Sequence, residues 1–222
     1  MSQTTSLAKS SIGQKLLMAL TGLYLCTFLL EHLIGNLLLF LNDGGVVYDA
    51  YGEFLSGNVV IRTVEIGLFL GFAAHIIYGT TLWLSNKRKR PIPYEMTNPS
   101  ANSTLASRIA FVTGSIVFIF LVVHLRTFFA PLRFDATHPS AYRLVTDAFQ
   151  SPLYVGFYLV ALFLLGYHLR HGFQSAFQTL GWLQSRYKKL IMFFGFIFWF
   201  IIPLGYAIIP IYFLWSHMSG GY

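Results

Sequence analysis

His32, His75, His124 and His168 are the residues of this chain best placed to do chemistry, because each lies deep within a separate apolar stretch. An imidazole can ligate a metal, carry a proton or act as a general base. In a segment apolar enough to cross a bilayer it is costly, so an ionisable residue there is a functional-site candidate. The remaining histidines sit differently. His171 follows His168 by three residues and competes with it as a ligand, while His138 and His217 fall in loop or interfacial positions.

The four recur in register. Thr21-Gly22 and His32-Leu33 reappear as Thr113-Gly114 and His124-Leu125, a constant offset of 92 residues. His75 and Gly79 reappear as His168 and Gly172, an offset of 93. The chain therefore reads as a duplicated two-segment unit, T-G-x9-H-L followed by H-x3-G. The second offset also selects His168 over His171 as the counterpart of His75.

The elements that must position these residues follow from composition. Of 222 residues, 55% are hydrophobic and only 10% charged, against roughly 25% charged in soluble domains. Five apolar stretches, at about 16–41, 59–84, 109–131, 153–177 and 190–215, each match the ~20 residues that cross a bilayer as a helix. The expected fold is an all-α membrane protein forming one domain over residues 1–222, with five transmembrane helices, the first four making a four-helix bundle. The first stretch is too long for a secretory signal and contains Glu31 and His32, so it reads as a retained span. Cys26, the single cysteine, lies inside it and reads as a small core residue.

The net charge of +7 points to topology and membrane lipid, not to nucleic acid. With the N-terminus inside, one side collects eleven basic residues: Lys9, Lys15, Lys87, Arg88, Lys89, Arg90, Arg108, Arg170, Arg186, Lys188 and Lys189. The other collects four, Arg62, Arg126, Arg133 and Arg143, together with Asp43, Asp49, Glu53, Asp135 and Asp147. That bias puts the N-terminus in the cytoplasm and the C-terminus outside. Asn42-Asp43-Gly44-Gly45 reads as a turn, and Asn58 precedes the second span. Pro91, Pro93 and Asn98-Pro99-Ser100 punctuate the approach to the third. Residues 132–152, between Pro131 and Pro152, have room for a short surface helix, and Pro203 and Pro210 are expected to kink the fifth span.

Helical rise pairs the histidines. His32 lies 17 residues past Lys15 and His124 lies 16 past Arg108, so both are roughly 25 Å from the cytoplasmic ends of their helices. His75 lies 13 residues past Arg62 and His168 lies 16 past Pro152, roughly 20–24 Å from the outer ends. Two pairs at two depths result, about 10–15 Å apart. Each pair can offer two axial nitrogens to one haem iron, in the way bundles build cofactor sites. Gly79 and Gly172, one turn beyond their histidines, suit the close approach of a porphyrin. Gly22 and Gly114, ten residues before theirs, fall at the level of the other pair. Packing of helices through small residues is the competing explanation for all four glycines.

Five spans with single deep histidines in the first four, T-G-x9-H in spans one and three, and H-x3-G in span four resemble the dihaem cytochrome b membrane anchor of succinate:quinone oxidoreductases. The similarity covers nearly the whole chain and is closest to the b558-type single-subunit anchors of succinate dehydrogenases and quinol:fumarate reductases. It implies two haem b groups, with His32 and His124 ligating the outer one and His75 and His168 the inner one. It implies a bacterial cytoplasmic membrane, with an FAD flavoprotein and an iron–sulfur subunit docked on the cytoplasmic side. Electrons would pass between succinate or fumarate and a quinone, with menaquinone expected, and this chain would serve only the quinone half.

One departure from that family stands out. The dihaem fumarate reductase has a glutamate two residues before the fourth-span histidine, whereas this chain has Gly166. Glu31 and Glu65 are the buried carboxylates expected in the spans instead, and Asp49 and Glu53 lie in the outer connection, where related enzymes place an acid at the quinol site. A quinol releases protons with its electrons, so a carboxylate there can accept them. The competing reading of Asp49 and Glu53 is solvated surface charge. Lys15 and Arg108 are candidates for haem propionates or for snorkelling to headgroups. Alternatives are a cytochrome b anchor of a hydrogenase or formate dehydrogenase, whose partners would be periplasmic, and a haem-free transporter with a histidine proton relay, which would be colourless.

Overall fold

A computed structural model describes residues 10–89, 104–135, 139–184 and 186–220. Lys9, Arg90, Pro91, Pro93, Asn98-Pro99-Ser100 and His138 lie outside them. In chain order the helices are α1 (Ser11–Asn36), α2 (Val46–Gly57), α3 (Val59–Arg88), α4 (Leu105–Arg108), α5 (Ala110–His124), α6 (Ala130–Phe134), α7 (Ala141–Ala148), α8 (Pro152–Thr179), α9 (Lys188–Phe196) and α10 (Ile202–Met218). Among the described residues there is no strand.

Five helical segments are long and apolar enough to cross a membrane: Ser11–Phe40, Val59–Arg88, Ala110–Phe134, Pro152–Thr179 and Lys188–Met218. Their starts are capped as the sequence dictates. The side chains of Ser10, Asn58 and Ser151 each accept from a backbone N–H one turn on, and Pro152 takes the first helical position.

Two prolines sit within spans without ending them. Pro131 and Pro203 each follow a π turn, Leu125–Phe129 and Ile197–Ile201. Proline has no N–H for the carbonyl four residues back, and widening the preceding turn accommodates that loss. The third span therefore runs on to Phe134 and does not stop at Pro131.

The connections after the first span and before the fourth hold more structure than their turn residues suggest. Gly44 and Gly45 have positive φ, at 69° and 90°, and a Cβ on Gly45 would collide with Tyr142. Asp43 then accepts from the N–H groups of Gly45 and Val47 at 2.9 and 2.8 Å and starts α2. The short surface helix expected within 132–152 is α7. Asp49 of α2 accepts from the Tyr142 N–H in the first turn of α7 at 2.8 Å, tying the two surface helices together.

The first span packs on the second and fourth, and the fourth on the third and fifth, while the second and third meet only narrowly. The first four thus form a ring, with one facing three and two facing four across its diagonals. The tightly packed core is not on the ring axis. It lies on the seam of spans one, four and five, with Leu39, Val145, Phe149, Val155, Tyr158, Ile209 and Phe213 at one end and Cys26, Leu162, Leu165, Leu169, Phe173 and Ile191 at the other. The second span has no buried residue, and α5 has only Thr113.

Candidate functional site

Across the diagonals of the ring the histidines come together in twos. The rings of His32 and His124 have centres 5.8 Å apart and planes at 88°, and those of His75 and His168 are 6.2 Å apart at 77°. His171 does not take part in either pair. The level of each pair can be read against the repeat. A side chain on Gly22 would stand 3.2 Å from Cε1 of His75, and one on Gly114 would stand 3.0 Å from Cε1 of His168. Each glycine is ten residues before the histidine of its own span, so the two pairs are about 15 Å apart along the helices.

Gly22 and Gly114 are therefore glycine because an imidazole from the neighbouring span lies on them. The other two differ from them and from each other. A Cβ on Gly79 would meet Met18 Cε at 3.2 Å, whereas one on Gly172 would meet nothing within 4 Å among the described atoms. No protein contact found there requires glycine at 172.

The second motif residue, Thr21, sets a tautomer. Its Oγ1 donates to the Leu17 carbonyl at 2.8 Å and stands 3.3 Å from His75 Nδ1. A hydroxyl has one proton; with that proton on Leu17, Thr21 can only accept from the imidazole. Nδ1 of His75 then carries the hydrogen, and Nε2 keeps its lone pair for a ligand. Across the pair from it, His168 Nδ1 is buried without a hydrogen-bond partner, alone among the described buried side-chain nitrogens and oxygens in this respect.

The His32–His124 pair is held by residues the motifs do not mark. Tyr158, buried in the fourth span, places its hydroxyl 3.0 Å from His124 Nδ1. Tyr154 stands one turn away, its hydroxyl 3.3 Å from that of Tyr158 and donating to Thr127 Oγ1 at 3.0 Å. Phe120 and Phe128, a turn to either side of His124, flank its ring at 5.7 and 5.2 Å. On His32, Phe28 stacks at 5.2 Å. The Asn36 amide donates to the His32 carbonyl at 2.7 Å and lies 3.5 Å from both ring nitrogens. Tyr48 of α2 in turn donates to Asn36 Oδ1 at 3.2 Å. Burial, with Asp49 beside it, pushes the Tyr48 hydroxyl up to about 12, so it keeps its proton for that bond at neutral pH.

A signal for Tyr158 was present in the repeat. It stands ten residues before His168, as Glu65 stands ten before His75. Glu65, however, is paired with Arg62 at 2.6 Å. The remaining carboxylates are dispersed. Glu31, expected to be buried, is exposed and accepts from the Tyr51 hydroxyl at 3.0 Å. Asp49 is engaged by α7, and Glu53 is exposed on α2. Lys15 and Arg108 are exposed at the opposite end of the ring, and His217 is exposed in the last turn of α10.

Gly166 is buried against the fifth span. A Cβ there would stand 2.8 Å from the backbone oxygen of Trp199, which lies inside the second π turn. The position is sterically closed to any longer residue, glutamate included.

The donor set fits a metal held between two imidazoles. A metal–imidazole bond is about 2.0–2.1 Å, so two rings on opposite sides of one ion have centres about 6 Å apart. The two pairs, at 5.8 and 6.2 Å, are close to that spacing. The hydrogen-bond acceptor on His75 Nδ1 is the arrangement by which ligating histidines are oriented through their other nitrogen. Compared with protein-family models, with curated proteins and with solved structures, the chain gives no match.

Proposed function

We propose that this chain is the membrane-anchor subunit of a succinate:quinone oxidoreductase, carrying two haem b groups and exchanging electrons between an iron–sulfur partner and membrane quinone. The observation that carries this reading is the pair of diagonal histidine contacts, at 5.8 and 6.2 Å, on two levels about 15 Å apart. His32 and His124 would hold one group, and His75 and His168 the other. Haem b bound in this way supplies a one-electron relay inside an apolar bundle.

The protein's own part is orientation. Thr21 engages His75 at Nδ1 and leaves Nε2 for a ligand, and Gly22 and Gly114 let His75 and His168 lie against the neighbouring helices. Tyr158 and the Tyr48–Asn36 chain restrain the outer pair. The spans bring imidazoles to two depths while apolar side chains face outward; on the second span Val59, Val64, Ile66, Leu70 and Ile77 are all exposed. The quinone is the substrate of this chain, and an FAD flavoprotein with an iron–sulfur subunit, docked on the cytoplasmic side of a bacterial membrane, completes the enzyme.

Protein purified from its own membranes is expected to give two b-type haems per chain in a pyridine haemochrome assay, with a flavin-containing subunit co-purifying. One haem or none overturns the dihaem assignment. Haem with a flavin-free partner on the periplasmic side leaves the dihaem bundle standing and replaces the succinate reading with a hydrogenase- or formate-linked one.

Tyr158→Phe tests the orientation of the outer pair. It removes the hydroxyl at His124 Nδ1, and losing such an outer-shell partner typically weakens metal affinity about 10–100-fold. The expected result is a shifted potential and electron-spin spectrum for one haem only, with the other unchanged. Changes in both haems, or in neither, would rule out Tyr158 as the positioning residue.

A further inference from the structure

Away from the histidines, a cavity of about 700 Å³ opens between the first, fourth and fifth spans. Its walls are apolar: Leu23 and Thr27 from the first span, Phe173 and Phe177 from the fourth, Leu190 and Phe194 from the fifth. The volume lies within the 300–1,000 Å³ of small-molecule sites. On the fifth span the lining runs from Leu190 to Phe198, eight residues or about 12 Å of helix, so the cavity is an elongated slot along the bundle.

The charge at one end of the slot identifies its occupant. Tyr187 lines the mouth and carries the Arg186 guanidinium, which donates to its hydroxyl at 2.7 Å and lies 4.9 Å from its ring centre. Lys188 and Lys189 follow, both exposed. Among the described residues the ion pair within 4 Å is Arg62–Glu65, at the other end of the bundle, and the described carboxylates all belong to that other half. Among the described residues, Arg186 thus sits on Tyr187 of the slot wall with Lys188 and Lys189 next in the chain, and no described carboxylate pairs with any of the three.

A ligand complementary to both parts has a long hydrocarbon chain and an anionic head. Basic pockets between spans at the cytoplasmic face bind acidic lipid headgroups by this combination. We propose that the slot binds one acyl chain of an anionic phospholipid, with its phosphate against Arg186, Lys188 and Lys189. The proposal rests on the chain spanning a membrane and is independent of the haem assignment.

The test uses the complete protein reconstituted into vesicles of mixed phosphatidylglycerol and phosphatidylcholine, with the lipids that stay bound after detergent extraction measured by native mass spectrometry. Wild type is expected to retain phosphatidylglycerol about tenfold over phosphatidylcholine. Arg186→Gln/Lys188→Gln/Lys189→Gln should bring that ratio close to one, and Lys188→Arg/Lys189→Arg should preserve it. Thr27→Trp, which fills the slot while leaving the charges, should abolish retention of either lipid. Equal retention of both lipids by wild type, selectivity that survives the triple substitution, or a quinone retained in place of phospholipid would each overturn the proposal. If Thr27→Trp does not fold, the charge variants decide the matter alone.

Discussion

If the bundle holds two haems as proposed, replacing His75 with alanine should leave one, and His168→Ala should remove the same one. His32→Ala and His124→Ala should remove the other. The structural content of this expectation is the pairing, since sequence order alone would couple His32 with His75 and His124 with His168. The rings instead meet as 32 with 124 and 75 with 168. The pairs are about 15 Å apart and share none of the hydrogen-bond partners described for them, so substitutions in one should act independently of the other. The effect would be large because each proposed haem depends on two imidazoles, and His171 is not part of either ring pair. Haem-to-protein ratio, with a low-temperature spectrum of each variant, reads the outcome. His75→Ala and His168→Ala must lose the same spectral component, and His171→Ala must lose neither. Spectra grouping 32 with 75, or either single variant losing both haems while its helicity is retained, would contradict the pairing.

The pairing could be read from sequence because helical rise from the span ends puts His32 level with His124 and His75 level with His168, and two glycines mark the other level. Gly22 is ten residues from His32 and lies against His75; Gly114 stands in the same relation to His124 and His168. A repeat of that kind fixes depth by counting. What the sequence hid was lateral. Spans apolar on every side give no periodic stripe to separate a core face from a lipid face, so nothing in composition indicated that the dense packing lies on the seam of spans one, four and five. Nor was α2 visible. Gly45 and Asn58 bracket it and suit a loop as well as a helix, and its functional contact, Tyr48 to Asn36, crosses 12 residues of chain around a turn. Tyr158 was hidden differently: among 13 tyrosines in an aromatic-rich chain, only its place in the repeat distinguishes it.

Gly166→Glu should be among the most damaging single substitutions in the fourth span, and the reason lies in the fifth. Pro203 has no N–H to give to Trp199, the residue four positions before it. The helix responds with the π turn Ile197–Ile201, and the Trp199 oxygen comes to lie against the Gly166 backbone. Adding only a Cβ brings it to 2.8 Å from that oxygen, a backbone atom that cannot rotate away. Gly166→Ala should therefore cost about 1–3 kcal/mol by overpacking. Glutamate adds a carboxylate pressed toward a carbonyl in an apolar setting, about 2.5–3.5 kcal/mol more. Thermal unfolding in detergent should rank wild type above Gly166→Ala and Gly166→Ala well above Gly166→Glu. Pro203→Ala, which returns an N–H to Trp199, should narrow the π turn and recover part of the Gly166→Ala loss. Equal stability of the alanine and glutamate variants, or no coupling to residue 203, would refute the account. A fourth-span glutamate at position 166, of the kind found in the dihaem fumarate reductase, is sterically incompatible with this fifth span.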